Sequence, residues 1–168
     1  MKRQRPSWDE TFMFQALWVA ARSSCNYLQT GAVIVQDKRV ISSGYNGAPP
    51  GIENCLDRGC RKDSAGIDFE DKGKSVCRGT HAEPNAMAQI PRKELKGTII
   101  YTLYFPCSSC AKIIAGNGLA EVVYSEIYKE LDSLTKEIFS EAGIALRQYR
   151  LNLNRDIRII RNIFPTKN

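Results

Sequence analysis

One histidine, His81, occurs in this chain of 168 residues, so a metal site here can draw on one imidazole at most. No apolar run approaches 18 residues, which excludes a membrane-spanning helix. Repeats and low-complexity tracts are absent as well, so the chain reads as one domain. With 43% hydrophobic and 25% charged residues it is too apolar to be disordered and long enough for a full core. The basic opening, "MKRQRPSWDETFMFQAL", is interrupted by Asp9, Glu10 and Gln15 and lacks the apolar stretch of a secretory signal. A cytoplasmic location is the expectation.

The net charge is +6, and it sits at the two ends. Arg147, Arg150, Arg155, Arg158, Arg161 and Lys167 face Asp156 in the last stretch; Lys2, Arg3 and Arg5 face Asp9 and Glu10 in the first. The body between is neutral. Basic ends suit anionic partners, although a solvated face is the plainer reading of such a tail.

Hydrophobic periodicity supplies a coarse map. Ser7-x-x-Glu10 has the form of a capping box, and Phe12, Ala16, Val19 and Ala20 recur at helical spacing, which predicts a helix over about 7–24. "GAVIVQDKRVISSGY" reads as two strands around the turn Asp37-Lys38. Residues 52–80 form a charged, turn-rich insertion with few large apolar side chains, too little to order itself by burial. A helix over 82–90, a strand in "TIIYTLY", a helix over 107–116, a strand in "EVVYSE", a helix over 131–142 and a strand in "IALRQY" follow. Strands alternating with helices predict an α/β domain over 1–150, with neighbouring parallel strands and helices on both faces. In the tail, 151–168, Ile157, Ile160 and Phe164 fall on one helical side and Arg155, Arg158 and Arg161 on another.

Two stretches carry chemistry. In "YFPCSSCAKIIAGNG" a strand ends, and Cys107-x-x-Cys110 opens a helix whose N-terminus favours thiolates. Such a pair in isolation also suits a redox couple. In "SVCRGTHAEPNAMAQI" the lone histidine lies 26 positions upstream of Cys107, with Glu83 two residues beyond it. A lone histidine is most often an ordinary core or surface residue, and a glutamate in a first turn is often just a favourable charge. Together, however, His81, Cys107 and Cys110 make a three-ligand zinc set with a fourth position open to water, the mark of a catalytic site. Pro84, lacking an N–H, fits a helix that begins near His81 or Ala82.

The H-x-E…P-C-x-x-C arrangement is the signature of zinc nucleobase deaminases. Beyond it, "RPSWDETFM", "ARSSC", "TGAVIVQDKRVISSGYNGAPPG", "HAEPNAM" and "YFPCSSCAKIIAGNGLAEVVY" resemble the deoxycytidylate deaminase family, including bacterial late-competence deaminases of that type. The resemblance covers about residues 5–149. It implies a three-layer α/β/α cytidine-deaminase-like domain with a five-stranded mixed sheet, and hydrolysis of dCMP to dUMP and ammonia. It implies zinc held by His81, Cys107 and Cys110, a zinc-bound hydroxide attacking cytosine C4, and Glu83 carrying protons to ring N3 and to the leaving amine. It places Asn46 against the sugar, although Asn-Gly is also a common turn pair. Ala82 joins Asn46 as a substrate-binding position, and Arg92 is a phosphate ligand or a plain surface charge. The family also implies a homo-oligomer, a hexamer or dimer, that responds to dCTP and dTTP. Pro84 stands at the variable position of the H-A-E-x-N motif, where the family does not ordinarily carry proline.

Cys25, Cys55, Cys60 and Cys77 remain. A second, closed zinc on all four would cross-link the insertion, and some relatives carry a structural zinc that includes a histidine. Free thiols and disulfides are the alternatives. Other functions also compete with dCMP deamination. One is a deaminase of a tRNA or single-stranded DNA base, of a free nucleoside or base, or of pterin metabolism; another is a non-catalytic, zinc-stapled nucleic-acid-binding module. The neutral body counts against polymer binding, which spreads Lys and Arg along a groove. Nucleic acid is therefore not the expected partner.

Overall fold

Ser7 opens the first helix as its sequence requires. Its hydroxyl accepts from the Glu10 N–H at 3.1 Å, and Glu10 accepts from the Ser7 N–H at 3.1 Å. The computed structural model describes residues 5–71, 76–128, 131–161 and 163. The tail's Phe164 and Lys167, with Lys2 and Arg3, lie outside the described residues.

Helix α1 (Trp8–Ala20) is followed by the hairpin of β1 (Gly31–Gln36) and β2 (Arg39–Tyr45). Asp37 and Lys38, with φ of 50° and 60°, form the two-residue turn that matches strand twist. Next come two single-turn helices, α2 (Cys55–Arg58) and α3 (Arg61–Ser64), in the segment expected to be loop. Helices α4 (Ala82–Met87) and α5 (Arg92–Leu95) precede β3 (Ile99–Tyr104). Then α6 (Ser108–Asn117), β4 (Glu121–Glu126), α7 (Ser133–Glu141), β5 (Ala145–Gln148) and α8 (Leu153–Arg161) complete the order. Helix α4 stops at Met87, short of the expected 90, with Pro91 close behind it. Helix α6 ends where Gly118 takes the left-handed conformation, φ 73°. Among the described residues, no helix is long and apolar enough to cross a membrane.

The strands form one mixed sheet in the order β2-β1-β3-β4-β5, so the expected five-stranded α/β architecture is the one observed. β1 runs antiparallel to β2 and β3, whereas β3, β4 and β5 are parallel. Alternation along β1 sorts the core. Val33 and Val35 meet α1 through Phe12, Met13 and Ala16, while Ala32 and Ile34 meet Ala86, Met87, Ala111 and Ile114 on the other face.

Two glycines set the helix distances. A Cβ on Gly31 would fall 2.2 Å from the Ala16 carbonyl oxygen, and one on Gly44 would fall 2.3 Å from the Ala86 amide nitrogen. Each strand therefore lets a helix press closely on one face, and Gly44 does so for α4, the helix that follows His81.

The insertion is more ordered than its composition predicts. The ammonium of Lys62 is buried and donates to the carbonyls of Phe69 and Asp71, each at 2.6 Å. Tyr27 stacks on Phe69 and donates to Asp63. Polar cross-links supply what apolar burial does not.

Candidate metal centre

Two helix N-termini meet at the carboxyl side of β3. His81 is the N-cap residue of α4, with φ −72° and ψ 160°, and Cys107 is that of α6, with φ −73° and ψ 163°. Extended backbone at both caps turns the two side chains away from their helices toward each other. Pro84 lies in the first turn of α4, where its missing N–H has no partner to lose.

The side chains converge. His81 Nδ1 lies 3.2 Å from Cys110 Sγ and 3.6 Å from Cys107 Sγ, and the three donor atoms all fall within 4.8 Å of one another. Donors about 2.1 Å (nitrogen) and 2.3 Å (sulfur) from a tetrahedral zinc would stand roughly 3.5 Å apart, so the residues present fit that ion. His81 is exposed, Cys107 half-buried and Cys110 buried, which gives the group one open side.

Glu83 stands beneath, almost wholly buried. Its Oε2 accepts from the Cys110 thiol at 3.6 Å and its Oε1 faces the Thr102 hydroxyl on β3 at 3.5 Å. Burial pushes its carboxyl above the usual range, opposed by the neighbouring His81. The two thiols divide: a bond from Cys110 holds Cys107 down to about 3, and the same bond, with burial, pushes Cys110 up.

The helices are held from outside. Asp132, the N-cap of α7, accepts from the Leu134 N–H at 3.1 Å and reaches the Ser108 N–H at 3.0 Å. Thr135 donates to the Pro106 carbonyl at 3.0 Å. On the other side, Ser42 donates to the Ala86 carbonyl and Asn85 to the Tyr45 carbonyl, each at 2.7 Å, so β2 grips α4.

A cavity of about 180 Å³ opens beside the donors, walled by His81, Glu83 and Cys107, by Asn46, and by Phe69 and Tyr104. A larger apolar groove of about 480 Å³ lies between α1, the hairpin and Ile160, away from these groups.

The family model for the cytidine and deoxycytidylate deaminase zinc-binding region matches residues 6–126. The chain belongs to that family. It is 37% identical over 146 residues to deoxycytidylate deaminase of Saccharomyces cerevisiae, covering 86% of this chain and 46% of that protein. It is 37% identical over 151 residues to ComE operon protein 2 of Bacillus subtilis, covering 89% and 75%. This deaminase-family chain thus spans less than half the length of the yeast relative and three quarters of the Bacillus one. In fold it is similar to dCMP deaminase of the cyanophage S-TIM5, solved in complex with dCMP and dUMP. The TM-score is 0.66, with 23% identity, over 87% of this chain and 99% of the other.

The remaining residues that the family pattern singles out fall in different places. Asn46 is on the cavity wall, but its carboxamide is already engaged. Nδ2 donates to the Leu28 carbonyl at 2.7 Å, and Oδ1 accepts from the Thr30 N–H at 2.9 Å. Ala82 is fully buried in the core cluster under α4. Arg92 is not brought to the cavity: it donates to the Gly116 carbonyl at 2.9 Å, near the C-terminal end of α6, whose other end holds the cysteines. A helix C-terminus attracts a cation without any ligand, and Arg92 makes that contact with the end of α6. Cys25, Cys55 and Cys77 line the same cavity, and Cys60 is the buried N-cap residue of α3. No disulfide joins any of the six cysteines, and the four form no group as tight as the His81 trio among the described residues.

Sequence reasoning missed Asp132, Thr102, Lys62 and Phe69. Asp132 precedes Ser133-Leu134-Thr135 as a good N-cap should, which marks the helix start but not the reach of its second oxygen to Ser108.

Proposed function

We propose that this protein is a zinc-dependent hydrolase that converts dCMP and water to dUMP and ammonia. One observation carries the reading: two thiol donors, one imidazole and a buried carboxyl converge beside one cavity, in a chain with 37% identity to a yeast deoxycytidylate deaminase. His81, Cys107 and Cys110 would hold the metal. Zinc bound there supplies an acidified water at neutral pH. Glu83, raised by burial and adjacent to the donors, would take one proton from the attacking water and pass it to ring N3, then take the second from the hydroxyl added at C4 and hand it to the departing amine, so that both protons of the water are accounted for. Asn46 retains one amide hydrogen and one lone pair for the sugar, and its two backbone bonds fix the direction in which they point.

A second zinc on Cys25, Cys55, Cys60 and Cys77 belongs to the same reading, supported by the placing of Cys25, Cys55 and Cys77 on one cavity. So do assembly into a homo-oligomer and control by dCTP and dTTP, traits of the resembled family. Residues 1–150 form the deaminase unit in this reading, followed by the basic tail.

The test is ammonia release from dCMP, dCTP, cytidine and a tRNA panel, with Glu83→Ala as control. Turnover of dCMP that vanishes in the variant supports the proposal. No turnover of dCMP, with or without dCTP, removes it.

A further inference from the structure

The insertion contributes a wall to the cavity that the metal chemistry leaves unexplained. Phe69 lies half-buried there, on the same cavity as His81, Glu83 and Cys107. Its ring stacks on Tyr27 with centroids 4.6 Å apart. Its carbonyl and that of Asp71 are both taken by Lys62, whose ammonium also lies 5.6 Å from the Phe69 ring centroid. Lys62 is 7% exposed.

A lysine in a surface insertion is normally solvated, because burying an ammonium costs free energy unless its protons are bonded. Here the bonds go to the backbone on both sides of Glu70. They pin the turn that presents Phe69, and the ring lies against both a cation and an aromatic ring. Besides ordering the insertion, these contacts give Phe69 a fixed position against whatever fills the cavity.

We propose that Phe69 positions the nucleoside half of the substrate by apolar and π contact, and that Lys62 is the positioning residue that holds Phe69 in place. The inference rests on the nucleotide reading above. It assigns the insertion a role in substrate binding that is separate from any metal it holds.

Four zinc-loaded variants test it, read by KM and kcat for dCMP and by Kd for dUMP. Phe69→Ala raises KM and Kd about tenfold, the effect of losing one aromatic contact to a base, with kcat within about twofold and the zinc content unchanged. Phe69→Leu keeps the apolar volume and gives an intermediate rise; it replaces the alanine variant should that one lose the insertion's fold. Lys62→Met raises KM less than Phe69→Ala does. The double variant is no worse than Phe69→Ala alone, because Lys62 acts through the ring. Phe69 variants within twofold of wild type overturn the inference, and so does a double variant whose KM is the product of the single effects. A wild type inactive on dCMP overturns the deaminase reading instead.

Discussion

Asp132 and Ser108 lie 24 residues apart in sequence, and the carboxylate of one accepts the backbone N–H of the other at 3.0 Å. Ser108 is the first residue of α6, directly after Cys107. Helix α6 has no side-chain cap of its own, so the start of α7 supplies one. Removing it by Asp132→Ala uncaps both helices, at about 1–2 kcal/mol. We expect zinc to dissociate to a chromogenic chelator several-fold faster, with Asp132→Asn intermediate. Phe139→Leu is the control: it lowers melting temperature through the core and leaves the zinc rate unchanged.

Glu83→Gln keeps the size of the side chain and removes its proton traffic. Ammonia release falls at least about a hundredfold, the lower range for a lost general acid–base. Elemental analysis finds the wild-type zinc content. A variant that loses its zinc together with its activity contradicts the assignment of Glu83 as a proton carrier only.

Gly44→Ala forces a methyl group against the backbone of Ala82 and Ala86. Helix α4 must shift, at a cost of about 1–3 kcal/mol, and it carries His81 and Glu83 with it. Gly31→Ala meets α1 in the same way, at Ala16 and Ala20. Both variants lose stability in thermal melts, but Gly44→Ala loses more kcat per degree of melting temperature.

Asp156 of α8 is buried against Glu10 of α1, and burial and that neighbour push its carboxyl from 3.8 to about 6. Around the pair stand Arg155, 3.2 Å from Glu10, the Ser7 N–H, and Asp9 with its partners Arg147 and Tyr101. A folded pKa above the unfolded one means that the folded state holds the proton more tightly. The stabilisation is complete below about pH 4 and is lost as pH rises through 6. Docking of α8 weakens over that window by roughly 1–2 kcal/mol. Protection factors of the amides of 153–161, corrected for the intrinsic exchange rate, fall between pH 5 and pH 7 in the wild type and stay level in Asp156→Asn.

Cys77→Ser decides the second metal. Two zinc ions per wild-type chain, falling to one in the variant with dCMP turnover retained, support the four-cysteine site. A wild-type ratio near one excludes it.

What could be read from the sequence depended on distance along the chain. The Ser7–Glu10 capping box, the Asp37-Lys38 turn and the start of α4 near Pro84 are decided within four residues, and local spacing showed each of them. The group of His81, Cys107 and Cys110 was legible across 29 positions because few residue types hold zinc. Arg92 and Asn46 were harder, since their partners, Gly116, Leu28 and Thr30, are backbone groups that any residue type supplies. The insertion's order was illegible for the same reason: Lys62 is anchored by carbonyls, which leave no pattern in composition.

His81 is the chain's one imidazole, and its Nδ1 faces both cysteine sulfurs. Every histidine ring resonance in an NMR spectrum therefore reports from the centre itself, without assignment or labelling of single sites. Metal loading, exchange and nucleotide binding can each be followed on one isolated signal in the unmodified protein.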